Sequence, residues 1–400
     1  MKKVVLVYSG GLDTSVCIPL MREEYGYEKI ITVTVDVGQP IADIKQAEAK
    51  AKALGTEHYT VDAKDEFVKE FCFASLHANG DYQGYPMSTS IARPIIAAKA
   101  VEVAKNLGAT DFAHGCTGKG NDQFRIELAI RSLMPEAVIH APVRERNMTR
   151  SWEIEYAIQH NVPIQASLDK IWSIDENIWG RSIEGGQLED PNYAPPDEIF
   201  QWTKNSDNAN AQARTLLITF KDGSPTHLDG KAYEPAKLVM ELNQIAGDNA
   251  IGRIDIMEDR MLGLKVRENY ECPAATVLTK AHEALEALVL TREERRFKAI
   301  VGQEWSQLAY EGRWYDPLKA DLEAFIDKTQ ERVTGEVRLK LHRGACHVTG
   351  RTSIWGLYSE EMASFDTTSF DQRLSTGQVQ NFALQARMFL HLTKKNGATA

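Results

Sequence analysis

VVLVYSGGLDTSVCIPL, residues 4–20, decides how this chain is read. Val4 to Val7 are continuously apolar, the pattern of a short strand covered on both faces. Ser9-Gly10-Gly11 follows, and Leu12, Val16 and Leu20 then recur at helical spacing. Glycines at a strand-to-helix turn remove Cβ atoms, so the backbone can turn sharply and approach an anion. Successive N–H groups and the positive helix end can then hold phosphate, with Ser9, Thr14 and Ser15 adding hydroxyls. The loop is neither GxxxxGK[ST] nor GxGxxG. Taken alone, SGG reads equally as a plain turn with Asp13, Thr14 or Ser15 capping the helix.

The surrounding sequence repeats the alternation. Strand signals fall at residues 30–37, 58–61, 111–116 and 138–141. Helical segments are expected at 41–54, 65–77, 88–107, 122–133 and 150–160, two of them closed by Gly55 and Gly108. Strands separated by helices predict βαβ units and a parallel sheet. In such sheets ligands bind beyond the carboxyl ends of the strands, so two glycine-rich loops that each follow a strand should share one crevice. These are residues 9–15 and 115–122.

Residues 185–210 concentrate Pro, Asn, Asp and Gly and read as a loop or linker. Beyond them the order is mixed: a strand at 213–220, helices at 235–245, 274–297 and 318–333, and a hairpin at 335–349 turning at Arg343-Gly344. The fold class expected is therefore α/β, a parallel-sheet nucleotide-binding domain (1–165) with a second α+β synthetase domain (166–375). A C-terminal helix (376–400) completes it. That tail carries apolar residues on two stripes, among them Val379, Phe382, Phe389 and Leu384, Met388, Leu392. It suits docking on its own subunit or on another copy of the chain.

Composition closes off several classes. With 46 Lys plus Arg against 56 Asp plus Glu, the formal charge of the 400 residues is −10, which disfavours sequence-blind nucleic-acid binding. No uncharged apolar stretch approaches the ~18 residues of a membrane span. The apolar run after Lys2-Lys3 is too short for a signal-peptide core. Five scattered cysteines, with no CxxC, argue against structural zinc and for a reducing, cytoplasmic setting.

The second loop, DFAHGCTGKGNDQFRIE at 111–127, places Thr117, Asn121, Asp122 and Arg125 close together. A crevice offering both signs of charge suits amino acids, which carry ammonium and carboxylate. Spacing alone equally allows Asn121 as a helix cap with Lys119 and Arg125 solvated.

Strand–SGGxD–Ser–helix resembles the PP-loop of ATP pyrophosphatases, which cleave ATP between its α and β phosphates. SGGLDTS is similar in particular to the argininosuccinate synthase family. So are HG-x-TGKGNDQ-x-R, YPMSTSIARP (85–94), WSIDEN (172–177), GRIDIME (252–258) and YECP (270–273). The resemblance covers nearly the whole chain, although Pro19 inside the first helix is a departure expected to disturb one turn. Cys116 occupies a variable position with no sign of a nucleophile.

This resemblance implies ligation of citrulline and aspartate with ATP, through adenylation of citrulline, releasing AMP and pyrophosphate in arginine biosynthesis. It implies ATP contacts at Val7, Tyr8, Ser9, Gly10, Gly11, Leu12, Asp13, Thr14 and Ser15, with Val35 and Gly115. Citrulline would meet Tyr85, Ser90, Asn121, Arg125, Ser173, Ser182, Glu258 and Tyr270. Aspartate would meet Thr117, Asn121 and Asp122. It further implies a homotetramer. Mg²⁺ is expected on the pyrophosphate, held largely by phosphate and water oxygens, with Asp13 open either as an outer ligand or as the helix cap. No general base stands out. A tRNA-modifying or amidotransferase-type PP-loop enzyme, and a non-catalytic ATP-sensing module, are the rival readings; the sensor would need the first loop but not the Thr117/Asn121/Asp122/Arg125 set.

Overall fold

The computed structural model describes residues 2–163 and 172–397; the domain boundary expected at 165/166 lies outside them. Two compact units form, Met1–Trp355 and Gly356–Ala400.

The larger unit begins with strands β1 (Lys3–Val7), β2 (Lys29–Asp36), β3 (Glu57–Asp62), β4 (Asp111–His114) and β5 (Val138–His140). They form a parallel sheet in the order β3-β2-β1-β4-β5. The chain grows outward from β1 in one direction and then the other, so the strand order reverses between β1 and β4. That is the switch point at which open parallel sheets bind ligands. Helices α1 (Leu12–Glu23), α2 (Ile41–Ala53), α3 (Thr89–Leu107), α4 (Asp122–Leu133) and α5 (Arg150–Gln159) complete this layer. Their starts and stops follow the sequence signals closely. Gly108 closes α3 in the left-handed region at φ +61°, where a Cβ would be strained. Pro19 sits inside α1 without ending it. The helix expected at 65–77 contains a π-helical stretch, Phe67–Cys72, between two α-helical pieces.

The rest of the unit is built from antiparallel sheets and helices. Strands β6 (Ser173–Asn177), β7 (Gly180–Glu184), β8 (Arg214–Lys221), β9 (Ser224–Leu228), β10 (Lys231–Ala232), β11 (Arg253–Asp259), β12 (Lys265–Glu271), β13 (Gly335–His342) and β14 (Ala345–Thr352) follow in chain order. A four-stranded sheet runs β11-β12-β7-β6 and a five-stranded one β10-β9-β8-β13-β14. Helices α6 (Pro235–Asp248), α7 (Pro273–Val289), α8 (Arg292–Tyr310) and α9 (Pro317–Gln330) pack with them. The single helix expected at 274–297 is two. The chain breaks at Leu290 and restarts at Thr291, whose side chain and that of Glu294 form a reciprocal capping box. One buried apolar core spans the two kinds of sheet, joining Val5 and Val33 to Tyr270, Leu278 and Leu339.

The Pro/Asn-rich segment after residue 185 is anchored by a buried charge. The Glu271 carboxylate is fully buried and accepts from the backbone N–H groups of Gln201, Trp202 and Thr203, the Thr203 hydroxyl and the Arg181 guanidinium, at 2.8–3.0 Å. Polar loop backbone is thereby satisfied without regular secondary structure. In the smaller unit the tail expected as one helix forms two, α10 (Leu374–Phe382) and α11 (Leu384–Lys395), separated at Ala383 where ψ is −6°. Neither contains a buried residue, and Val379, Phe382 and Phe389 are exposed.

Removing Glu271 leaves Arg181 and three amides short of their buried acceptor. Glu271→Ala is expected to cost about 3–5 kcal/mol in chemical denaturation; a loss below about 1 kcal/mol would show that the cluster contributes little.

Candidate active site

At the first loop Gly11 caps α1 with no side-chain hydrogen bond. The capping roles open to Asp13, Thr14 and Ser15 are not taken. Thr14 instead donates to the Gly11 carbonyl (3.3 Å), and the Ser15 hydroxyl pairs with the Tyr8 hydroxyl (3.0 Å). The first-turn amides of α1 are thus left to an anion. Gly10 has φ +75°, and a Cβ there would lie 2.7 Å from Ala47. Its carbonyl accepts from Lys50 (2.9 Å). Val35 is buried near the carboxyl end of β2, beside the strand that leads into this loop.

The second loop packs against the first. A Cβ on Gly115 would sit 2.9 Å from the Asp13 carbonyl carbon and the Thr14 nitrogen, so only glycine allows this approach. The two loops therefore meet, as the strand order requires. Cys116 is no nucleophile: burial pushes its thiol far up. Thr117 is exposed on the loop.

Asn121 precedes α4 but does not cap it with its side chain. Its amide nitrogen donates to the Tyr310 hydroxyl (2.8 Å), and its oxygen accepts from the Met261 N–H (3.1 Å). Nor is Arg125 solvated. It is buried, donates through Nε to the Tyr310 carbonyl (2.9 Å) and through Nη1 to Asp122 (3.2 Å), and its buried Nη2 has no partner. Asp122 also pairs with Arg93 (2.9 Å), which bridges to Asp175 on β6. Burial raises the Asp122 pKa, but the charges of Arg93 and Arg125 prevail and hold it down at about 2.

The antiparallel sheet supplies the opposite wall. In register, Tyr270 on β12 faces Ser182 on β7, which faces Asp175 on β6; Ser173 lies two residues along β6. Tyr85 stacks on Tyr270 with ring centroids 4.0 Å apart. The Glu258 carboxylate accepts from the Tyr270 hydroxyl (2.6 Å) and the Tyr310 hydroxyl (2.5 Å). Ser90, in the first turn of α3, is buried with its hydroxyl unpartnered. Its neighbour Ser88 lies against Gly180, where an added Cβ would meet Ser88 and Cys272. Asn121, Asp122, Arg125, Glu258, Tyr270 and Tyr85 are thus joined directly or through Tyr310, while Ser90 and Thr117 are not part of that network; Ser90 Oγ and Arg125 Nη2 are buried without a partner.

Sequence reasoning passes over several participants. Arg93 and Asp175 lie inside quoted motifs and could have been read from them. Tyr310, the last residue of α8, carries no local signal. Glu153 on α5 faces Asp13; burial first and the Asp13 charge second push it up to about 7, and its Oε1 is buried without a partner. A cavity of about 860 Å³ at the carboxyl ends of β2 and β3, lined by Gly38, Gln39, Lys64, Trp202 and Arg253, includes none of the expected substrate residues.

Comparison with known proteins identifies the family. Residues 3–163 match the family description "Arginosuccinate synthase N-terminal HUP domain", and residues 172–389 match "Arginosuccinate synthase C-terminal domain". The chain belongs to the argininosuccinate synthase family. It is 55% identical to the argininosuccinate synthase of Methanosarcina acetivorans over 394 residues, covering 98% of this chain and 100% of that protein. The Methanocaldococcus jannaschii protein of the same name is 54% identical, with 96% and 97% covered. That of Methanopyrus kandleri is 51% identical, with 98% and 99% covered. The family is one of ATP-using ligases, so the chain is an enzyme of that class. Among the described residues no helix is long and apolar enough to cross a membrane.

The charge network beneath the second loop sets an acid limit. Burial raises the Glu127 pKa, but hydrogen bonds from His114 (3.2 Å) and Arg144 (2.6 Å) outweigh it and bring the group to about 2 from an ordinary 4.5. A depressed folded-state pKa gives stability that is complete above the unfolded value and lost as pH falls through the folded one. Wild-type stability should therefore decline between about pH 4.5 and 2. Glu127→Gln should be less stable at pH 7 and show a flatter decline in denaturation titrations; an unchanged slope contradicts the pairing.

Proposed function

We propose that this enzyme joins citrulline and aspartate to argininosuccinate through a citrullyl-AMP intermediate, in arginine biosynthesis. The observation that carries the reading is the joining of an uncapped strand-to-helix loop, suited to polyphosphate, to a buried zwitterionic set with unpartnered Ser90 Oγ and Arg125 Nη2.

The ureido carbon of citrulline is a poor electrophile and its oxygen a poor leaving group. Attack of that oxygen on the α-phosphorus of ATP breaks the α–β bridging P–O bond, and pyrophosphate departs. The aspartate amine, having lost a proton, then forms the C–N bond; the C–O bond breaks and AMP leaves with the ureido oxygen. The amides of residues 12–14 and the hydroxyls of Ser9, Thr14 and Ser15 hold the departing diphosphate. Arg125 has a free N–H for the citrulline carboxylate, and Glu258, oriented by two tyrosine hydroxyls, takes its ammonium. Tyr85 and Tyr270, with Ser173 and Ser182 along the same sheet, flank the chain between them. Thr117 holds aspartate, and Asn121 meets both aspartate and citrulline. Asp122 has both oxygens engaged by arginines, yet each retains a lone pair for the aspartate ammonium.

Catalysis on this reading works by positioning and by charge stabilisation on phosphate oxygens. The donor set at the loop fits Mg²⁺: Asp13 is partly exposed, and Glu153 Oε1 behind it is buried without a partner. Among the described residues no three metal-ligating side chains converge, so phosphate and water oxygens would complete the shell. When bound, the ion neutralises the leaving pyrophosphate. The exposed apolar faces of α10 and α11 support assembly as a homotetramer, and the acidic chain with unpaired cysteines supports a cytoplasmic setting without nucleic-acid or membrane partners. The three-part division at 165/166 and 375/376 is retained as the functional layout.

Pyrophosphate release from ATP should require citrulline and aspartate together for net turnover. Release driven by tRNA, or ATP binding without turnover, would favour a rival. Asp122→Ala should impair aspartate use more than adenylation of citrulline, measured by isotope exchange; equal loss of both steps contradicts its role.

A further inference from the structure

We propose that Tyr310 is a positioning residue for citrulline: its single hydroxyl fixes the Glu258 carboxylate and the Asn121 amide together, joining the two walls of the site. The inference rests on the citrulline reading above and deepens it.

Tyr310 is fully buried at the end of α8, far in sequence from every residue it touches. A phenolic hydroxyl has one hydrogen to donate and can also accept. Here the hydrogen goes to Glu258 Oε1 at 2.5 Å, and the oxygen accepts from Asn121 Nδ2 at 2.8 Å. The Asp259 carbonyl, 3.2 Å away, loses the competition for that hydrogen because a carboxylate is nearer and charged. Asn121 cannot flip in response, since its oxygen already accepts from Met261 N–H. The hydroxyl thus sets the direction of both side chains at once.

The ring and backbone are themselves clamped. Tyr82 stacks on Tyr310 at 3.5 Å between centroids, nearly parallel at 7°. The Arg125 guanidinium lies 4.9 Å from the ring centroid, and Arg125 Nε donates to the Tyr310 carbonyl. Just beyond, Gly312 at φ +79° lets the chain pass so close to α4 that a Cβ would lie 2.5 Å from Arg125 Cα. One residue from α8 therefore touches Asn121, Arg125 and Glu258, three of the eight positions expected to hold citrulline. The partner shell of Glu258 is two tyrosine hydroxyls, and Tyr270 fills the other oxygen. Loss of the Tyr310 bond leaves that carboxylate free to rotate about its terminal torsion and Asn121 without its acceptor. The ammonium of citrulline then meets a carboxylate that must first be ordered.

The test is steady-state kinetics on the full-length enzyme carrying Tyr310→Phe, which keeps the ring on Tyr82 and removes one oxygen. The citrulline KM should rise about tenfold or more, the effect of losing one hydrogen bond to a charged group. The KM for ATP and kcat should change far less. Because the residue acts through Glu258, the citrulline effects of Tyr310→Phe and Glu258→Gln should be less than additive in the double variant. A citrulline analogue lacking the α-amino group should lose discrimination between wild type and Tyr310→Phe. Equal changes in all three KM values, or full additivity with Glu258→Gln, would mark Tyr310 as merely structural. Should Tyr310→Phe not fold, Glu258→Asp, which keeps the charge but withdraws it from the hydroxyl, should raise the citrulline KM selectively; a citrulline KM unchanged in that variant overturns the inference. Citrulline-independent pyrophosphate release by the wild type would overturn the substrate reading and this inference together, whereas citrulline dependence with unaltered Tyr310→Phe kinetics overturns the inference alone.

Discussion

Gly115 lies with its α-carbon against the Asp13–Thr14 peptide, and the site proposed for this enzyme depends on that approach. Backbone amides can cradle a polyphosphate only where no side chain intervenes. The same approach brings the start of α4 beside the start of α1. Asn121, Asp122 and Arg125 therefore enter the crevice next to the nucleotide loop rather than at a distance from it. The proposed reaction, which moves an adenylyl group onto one amino acid and then delivers a second amine, needs this adjacency. The strand order, reversing between β1 and β4, is the fold-level cause.

The second wall reaches the crevice through charge and hydrogen bonding as much as through apolar packing. Arg93 on α3 links Asp122 to Asp175 on the antiparallel sheet, and Tyr310 links Asn121 to Glu258. The Tyr310 link is buried, where an unpaired partner is costly, whereas the carboxylates of the Arg93 link are about a third exposed. Together the two links make the alignment of the two walls a discrete state. Glu271 does similar work behind the site, where a polar loop without regular structure is pinned to the sheet.

The parallel half of the fold was legible because its signals are local: apolar strands, Gly-closed helices and a loop chemistry that needs particular residues. Helix α2 ends within a residue of its expected bound. The hairpin of β11 and β12 escaped because its strands are rich in charge. Arg253, Asp255, Arg267 and Glu268 hide the alternation, and their partners become visible only in the fold: Arg267 with Asp255 across the hairpin, Arg253 with Asp197, and Glu268 with Arg260. The break between α7 and α8 carried a signal that went unused, Thr291 followed three residues later by Glu294. Ser90, Arg125 and Glu258 could be proposed from motifs; all three are buried, and Arg125 and Glu258 are linked through Tyr310 while the Ser90 hydroxyl is unpartnered. Tyr310 could not, because its partners are more than fifty residues away and no pattern around it announces a site.

The first-turn amides of α1 are proposed to grip the diphosphate of ATP. A crystal structure of the enzyme with ATP tests this most directly. The β- and γ-phosphate oxygens should lie within hydrogen-bonding distance of the N–H groups of residues 12–14, with the α-phosphorus turned toward Arg125 and Asn121. A polyphosphate seated instead in the cavity beside Gln39 and Lys64, away from that turn, would contradict it.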